Sequence, residues 1–357
     1  MYGLKDAPRS WYKRVVEEFI STGGKLSAYD DAMFTWRCED GTLAFILVTH
    51  VDDFVYCGRT EWVKKVIGHI RSVFKISCEF EGAFKYTGLN VAQTSDGIVV
   101  DQYNYIASLE SVDLSRERLA RKDEDLTTAE RTRIRSLGGQ LLWVTTQTRP
   151  DASYNSCWVS NYGKNPTVRS LVDANKAVKK LQMTKSALIF PPLGDPQNIE
   201  VLVYQDASHA NLPNGSSQGG LLVFLSGNGR VAPIMWSSKK LTRVTKSPLA
   251  SEASILTDAA DAGFLVAKMV QEVFGLDHLP SVTSKTDSRS LWDHLNTTKV
   301  TFDARLRVDV ACIREMVKMG EIKVDWVDNS RQLADCLTKA GASSNSLLEV
   351  LRSGCIQ

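Results

Sequence analysis

The sequence predicts a multidomain chain of mixed type, part α+β and part α/β, and three observations carry that expectation. Apolar residues recur at helical spacing in some windows and as short strand-like runs in others, and both kinds occur along the whole chain. The segment Phe190-Pro191-Pro192-Leu193-Gly194-Asp195-Pro196 gathers turn and chain-stiffening residues and reads as a linker. At 357 residues the chain is long enough for two or three domains, each with a core of its own.

The elements follow in order. Trp11, Val15, Val16, Phe19 and Ile20 share one helical face over 9–22, and Gly23-Gly24 ends the pattern. Leu43 to Val51 reads as a buried strand that meets Asp52-Asp53, and Phe54 to Cys57 resumes the apolar run before Gly58. That is a β-hairpin with an acidic tip. A helix fits 60–74, with strands near 75–92 and at 97–101. Residues 105–185 read as mostly helical, punctuated by Gly138-Gly139 and Arg149-Pro150. Beyond the linker come strands at 199–205, 219–225 and 232–237 and a long helix over 249–274. A strand at 281–286, helices at 288–296 and 303–319, a strand at 322–327 and a last helix beginning near Ser330 complete the chain. Strands followed by alternating helices and strands indicate a layered α/β domain.

Composition narrows the function classes. Hydrophobic residues at 43% and charged residues at 24% lie in the globular range, which excludes wholesale disorder and collagen-like or low-complexity chains. No apolar run approaches the roughly 18–20 residues of a membrane span. Met1 to Trp11 carries Lys5, Asp6, Pro8 and Arg9 rather than the apolar core of a signal peptide. Seven cysteines without a CxxC pair argue against a disulfide framework or a cysteine zinc site, and the five histidines form no HExxH. The expectation is a reduced intracellular protein, cytoplasmic or nuclear, without a membrane anchor.

The formal net charge of +2 hides a pattern. Residues 1–110 hold 12 basic and 15 acidic groups, residues 111–198 hold 14 and 9, and residues 199–345 hold 16 of each. The middle block, with Arg116, Arg118, Arg121, Lys122, Arg131, Arg133 and Arg135, is the candidate footprint for a polyanion. A solvated helix face explains it as well, because Asp123, Glu124 and Asp125 interrupt the run.

Four carboxylates of the last domain occupy places where chain segments converge at one edge of an α/β sheet. Asp206 ends or follows the first strand, Glu252 lies in the first turns of the long helix, Asp287 follows the strand ending at Thr286, and Asp335 lies in the first turns of the expected last helix. Like charges gathered this way call for divalent cations, and oxygen ligands select Mg²⁺ or Mn²⁺ over zinc. Any one of them alone is equally an N-cap or a surface acid, and this domain holds sixteen acids.

The motifs settle more than the topology does. Val203-Tyr204-Gln205-Asp206-Ala207-Ser208, Gln218-Gly219-Gly220, Trp236-Ser237-Ser238-Lys239-Lys240, Ala250-Ser251-Glu252-Ala253, Thr286-Asp287-Ser288 and Gln332-Leu333-Ala334-Asp335-Cys336-Leu337-Thr338-Lys339 resemble the ribonuclease H domain of Ty1/copia-type retrotransposon Pol polyproteins. At the front, Tyr2-Gly3-Leu4-Lys5-Asp6-Ala7-Pro8-Arg9-Ser10-Trp11-Tyr12 resembles the reverse transcriptase signature of that family. His50-Val51-Asp52-Asp53 resembles its catalytic hairpin, Phe84 to Leu89 its primer-contacting strand, and Arg149-Pro150-Asp151 a connection motif.

The resemblance implies a truncated reverse transcriptase palm at 1–110, a mostly helical thumb or connection with linker at 111–198, a ribonuclease H-like mixed-sheet domain at 199–345, and a tail at 346–357. It implies that Asp206, Glu252, Asp287 and Asp335 hold Mg²⁺ or Mn²⁺ and hydrolyse RNA in an RNA–DNA hybrid, leaving 3′-hydroxyl and 5′-phosphate ends. Lys239, Lys240, Arg243 and Lys246 then contact phosphates, or form a solvated basic loop. Asp52 and Asp53 are implied catalytic and metal-binding residues of a polymerase site, with Gly3 to Pro8 shaping the nucleotide and template side of its cleft. The family places a further catalytic Asp upstream of this signature, so polymerase activity by this chain alone is not expected. His50 stands for a commoner Tyr and Thr87 for a Leu, and the short loop Val327 to Gln332 before Asp335 holds no histidine. The expected partners are RNA–DNA hybrid and single-stranded or duplex nucleic acid. The alternative is an inactive relic, or a fragment that binds nucleic acid without catalysis.

Overall fold

The computed structural model describes residues 5–160, 166–212, 214–297 and 303–356. Tyr2, Gly3 and Leu4 of the opening signature lie outside them. The fold is mixed α/β with several sheets. The chain divides into two compact units, one of residues 1–91 and 265–280, the other of 92–264 and 281–357.

In the first unit, α1 (Ala7–Ser21) starts with a proline in its first turn, where a missing N–H costs nothing. It is followed by β1 (Lys25–Leu26), β2 (Met33–Arg37), β3 (Leu43–His50), β4 (Asp53–Gly58) and α2 (Thr60–Val73), the four strands forming a sheet in that order. The hydrophobic faces of α1 and α2 meet the sheet in one core of Val15, Phe19, Phe34, Trp36, Phe45, Leu47, Val66, Ile67 and Ile70. Its aromatic rings meet mostly edge to face, with Phe19 4.8 Å from Phe34 and Trp36 5.1 Å from Phe45 between centroids. β5 (Ala83–Tyr86) leads into β6 (Leu89–Thr94) through Thr87 and Gly88, both at positive φ, as a type I′ turn requires.

The second unit continues with β7 (Gly97–Asp101) and the helices α3 (Tyr103–Ala107), α4 (Arg116–Ala120), α5 (Thr128–Gln147), α6 (Ser153–Ser160) and α7 (Val168–Met183). The helical stretch expected over 105–185 is present. α5 begins with a capping box in which the Thr127 hydroxyl and the Glu130 carboxylate satisfy each other's backbone N–H. Arg149 and Asp151, from the Arg-Pro-Asp motif, form a fully buried two-pronged ion pair at 2.7 and 2.8 Å. Arg149 also donates to Leu181 O at 3.1 Å, and Lys180 to Asp151 O at 2.9 Å, so the pair pins the end of α7. Its groups have their hydrogen bonds met, which is the condition for tolerating buried charge.

β8 (Leu188–Phe190) pairs with β7 and takes up the first residue of the expected linker. Then come β9 (Glu200–Ser208), β10 (Gln218–Gly227), β11 (Arg230–Lys240), α8 (Pro248–Phe274), β12 (Val282–Thr286), α9 (Arg289–Leu295), α10 (Ala304–Lys318), β13 (Lys323–Trp326) and α11 (Asn345–Ser353). The five strands form one sheet in the order β11-β10-β9-β12-β13. β9, β10 and β11 are antiparallel neighbours, whereas β12 runs parallel to both β9 and β13. Gly263 lets α8 lie close on the sheet, because a Cβ there would come within 2.8 Å of Val282 and Val203.

The last helix differs from expectation. No α-helix begins near Ser330. Asn329–Arg331 and Asp335–Leu337 are 3-10 turns, the first capped by the Asp328 carboxylate on Ser330 N at 3.0 Å. Asp335 therefore opens a tight turn and not a helix. Ala334, Leu337 and Thr338 are buried, and a compact turn seats them against the sheet where a longer helix would turn half of them outward. The final helix is α11, whose Leu347, Val350 and Leu351 join the core with Leu222, Phe224 and Leu337.

Candidate metal centre

The site grows from the middle of the five-stranded sheet. Asp206 lies near the carboxyl end of β9, and Asp287 follows β12, the strand parallel to it. Parallel neighbours present their carboxyl ends on the same edge, so the two acids are brought together there. Gly220 of β10 lies opposite Asp206, and a Cβ at that position would come within 2.7 Å of Leu337 and 3.0 Å of Thr338. The absent side chain lets the 335–338 turn approach Asp206. On the other side, Gly219 makes room for Ile255 of α8, three residues past Glu252.

Ligand oxygens of Asp206, Glu252 and Asp287 lie within 4.8 Å of one another, and among the described residues they are the one group of three or more acid, histidine or cysteine side chains so close. Asp335 adjoins them. With its amide nitrogen turned inward, Asn329 donates to Asp287 Oδ2 at 3.0 Å and to Asp335 Oδ2 at 3.2 Å. Lys339 Nζ lies 2.6 Å from Asp335 Oδ1 and 3.3 Å from Asp206 Oδ1. The Thr338 hydroxyl donates to Asp206 Oδ2. Gln332 braces the loop, donating to Gln205 O at 3.0 Å and accepting from Ala334 N at 3.1 Å.

Burial sets the electrostatics. The Asp206 side chain is 2% exposed. Desolvation pushes its carboxyl up to about 6, against the pull of Lys339 and Thr338, with Asp335 and Asp287 adding to the rise. Glu252 is raised well above the usual carboxylate range by burial and then by Asp206 and Asp287. Asp287 is raised by burial, with Lys339 opposing and Asp335 assisting. Glu252 Oε2 is buried with no hydrogen-bond partner, and its other oxygen receives only a 3.4 Å contact from Ala207 N. A buried carboxylate oxygen left without a donor, within an all-oxygen ligand set, fits a hard divalent cation.

The other expected site residues fall elsewhere. Asp52 and Asp53 are exposed at the β3–β4 turn, where His50 pairs with Asp53. Trp11 Nε1 donates to Val51 O at 2.7 Å and steadies that turn. Burial and the nearby Asp53 carboxylate raise the Tyr86 phenol. Among the described residues no third acid, histidine or cysteine joins this pair into a cluster. In the basic loop, Lys239 pairs with Asp258 at 3.0 Å, Arg243 with Asp309 at 2.9 Å and Lys246 with Asp303 at 3.7 Å, so much of its charge is answered internally. In the middle block, Arg118 pairs with Glu124 and Glu130, and Arg133 with Glu110. All seven cysteines are free thiols, and no described helix is long and apolar enough to cross a membrane.

Sequence reasoning gave Lys339, Thr338 and Asn329 no roles. The available signal was the spacing of Asp335 and Lys339, four residues apart, which on its own describes an ordinary surface pair. Ser251 braces the site from beside Glu252. It is fully buried and hydrogen-bonds His209 Nδ1 at 3.0 Å and Thr245 Oγ1 at 2.7 Å, anchoring the turn of α8 that carries Glu252.

A five-stranded sheet whose central strand has an antiparallel neighbour on one side and a parallel one on the other, with acids at one edge, defines the ribonuclease H-like class of mixed sheet. Comparison with known proteins places the chain more closely. Residues 1–117 match the family described as reverse transcriptase (RNA-dependent DNA polymerase). The chain is 25% identical over 364 residues to the retrovirus-related Pol polyprotein from transposon RE2 of Arabidopsis thaliana, covering 95% of this chain and 24% of that polyprotein. It is 27% identical over 273 residues to the putative transposon Ty5-1 protein of Saccharomyces cerevisiae, covering 72% and 85%. The chain is thus related over most of its length to the Pol polyproteins of copia/Ty-type transposons, and spans about a quarter of the plant relative it matches. Among solved structures, ribonuclease H1 of Halobacterium salinarum NRC-1 aligns over 39% of this chain and 94% of its own, at 22% identity and a TM-score of 0.29.

Proposed function

We propose that the 199–345 region hydrolyses the RNA strand of RNA–DNA hybrids with Mg²⁺ or Mn²⁺, Asp206, Glu252, Asp287 and Asp335 being the ligands and catalytic acids. The observation that carries this reading is the meeting of Asp206, Glu252 and Asp287 within 4.8 Å, with a Glu252 oxygen left without a donor. When bound, a pair of such ions activates a water and stabilises the leaving oxygen of a phosphodiester. The protein's part is to hold the oxygens. β9 and β12 fix two acids side by side, the first turns of α8 supply the third, and Asn329 orients Asp287 against Asp335. Water adds to phosphorus and the bond to the 3′ oxygen breaks, leaving a 3′-hydroxyl and a 5′-phosphate. Selection of RNA rests on the 2′-hydroxyl and hybrid shape.

Within the same proposal, residues 1–110 are a reverse transcriptase palm portion, 111–198 a helical connection and 346–357 the terminal segment. Polymerase activity is not assigned to this chain, because Asp52 and Asp53 stand exposed without a third carboxylate among the described residues. The test is cleavage of a labelled RNA–DNA hybrid by the full chain in Mg²⁺. Asp287→Asn is expected to lower the rate on the order of 100-fold or more, with the fold retained by circular dichroism. No cleavage by the unmodified chain, or equal cleavage by the variant, refutes the assignment and leaves the reading of a non-catalytic relic.

A further inference from the structure

Lys339 extends from the 335–338 turn into the carboxylate cluster. Its ammonium bridges Asp206 and Asp335, at 3.3 and 2.6 Å. The Asp206 side chain is 2% exposed, whereas that of Lys339 is 40% exposed, so the lysine has a path to solvent and the aspartate does not. The cluster is asymmetric as a result. Toward Asp335, one oxygen of each aspartate already faces a positive charge. Toward Glu252, a buried oxygen has no partner at all.

We propose that Lys339 is a displaceable counter-cation of this site. In the metal-free protein its ammonium neutralises the Asp206–Asp335 side, and it leaves for solvent when a divalent ion takes that side. Of Asp206, Glu252 and Asp287 the ammonium forms an ion pair only with Asp206, so an ion entering on the Glu252 side meets weaker competition and the two sides load with unequal ease. This inference rests on the metal-binding reading of the preceding section. A plain structural role for the lysine makes the opposite prediction. If the ion pair only held the turn in place, its loss would loosen the ligands and weaken metal binding. If the ammonium competes, its loss tightens metal binding, because two like charges a few ångströms apart at a partly buried site repel strongly.

The test is calorimetric titration of Mg²⁺ into the full chain, comparing the unmodified protein with Lys339→Met and Lys339→Gln. Melting curves with and without Mg²⁺ accompany each titration. Lys339→Met is expected to bind Mg²⁺ about tenfold more tightly. Its metal-free melting temperature is expected to fall, and Mg²⁺ to raise it by more than in the unmodified protein. Lys339→Gln, closer in polarity, repeats the comparison should the methionine variant fold poorly. Unchanged or weaker binding in a folded variant overturns the proposal while leaving the metal site standing. Absence of binding in all three proteins overturns both. Binding by the variants alone supports displacement and shows the ammonium to be a strong competitor.

Discussion

Asp206 is held at the centre of the sheet by β9, and burial keeps its carboxyl at about 6 when no ion is present. A carboxyl whose folded value lies above its unfolded value of 3.8 favours the folded state while protonated. That contribution is whole below about pH 4 and is lost as pH rises through about 6. Glu252 and Asp287 are raised in the same direction and add to the loss. On the proposed reading it is the charged oxygens that take a divalent ion, so the stabilising effect of Mg²⁺ is expected to grow over the same interval. The melting temperature of the metal-free chain is therefore expected to decline from pH 4 toward pH 7, while the increment produced by Mg²⁺ widens. An increment that stays flat between pH 5 and pH 8 sinks this account. The aspartates of this site were legible in the sequence because each sits at a strand end or beside a named motif. Lys339 was not, since a lysine four residues after an acid has the same appearance whether it faces water or a buried carboxylate.

At the scale of elements, most strands and helices stand where periodicity put them, because their apolar faces meet a real core. The β3–β4 hairpin shows what the pattern leaves out. Apolar runs on either side of Asp52-Asp53 identified the two strands, but not that Val51 occupies φ +58° at the first position of a two-residue loop. Such loops favour glycine there, and a β-branched residue in that region is strained by about 1–3 kcal/mol. Val51 is 67% exposed, and its carbonyl rather than its side chain is held by Trp11. Val51→Gly relieves the strain at an entropic cost of roughly 0.5–1 kcal/mol. A net stabilisation of about 1 kcal/mol is expected, read as a higher urea midpoint, and a midpoint unchanged or lowered would show the turn to be relaxed with valine. The last helix was misjudged for a related reason. Between β13 and α11, the backbone conformation follows from what the chain must seat against Gly220 and the sheet, and local spacing carries no trace of that demand.

At the scale of the molecule, the site is a product of long-range pairing. Lys339 and Asp206 are 133 residues apart in sequence. Nothing local in either neighbourhood reveals that they touch, and the set of four acids was picked from sixteen only with the help of motifs that resemble a known family. The structure gives the two acidic sites of the chain different prospects for holding ions. At the ribonuclease H-like sheet three acids converge and one oxygen lacks a donor; at the β3–β4 turn two acids stand in water. A ligand stabilises the segments that it joins, by about 2.7 kcal/mol at a hundred times its dissociation constant. Amide hydrogen exchange resolves that effect along the chain. Addition of Mg²⁺ is expected to slow exchange in β9, in the first turns of α8, in β12 and in the 335–339 turn, and to leave β3 and β4 unchanged. Protection of the hairpin without protection of β9 and β12 would move the ion-binding function to Asp52 and Asp53. Protection at both would show that the exposed pair gathers ions without a third carboxylate, against the argument that burial and convergence are what make the site.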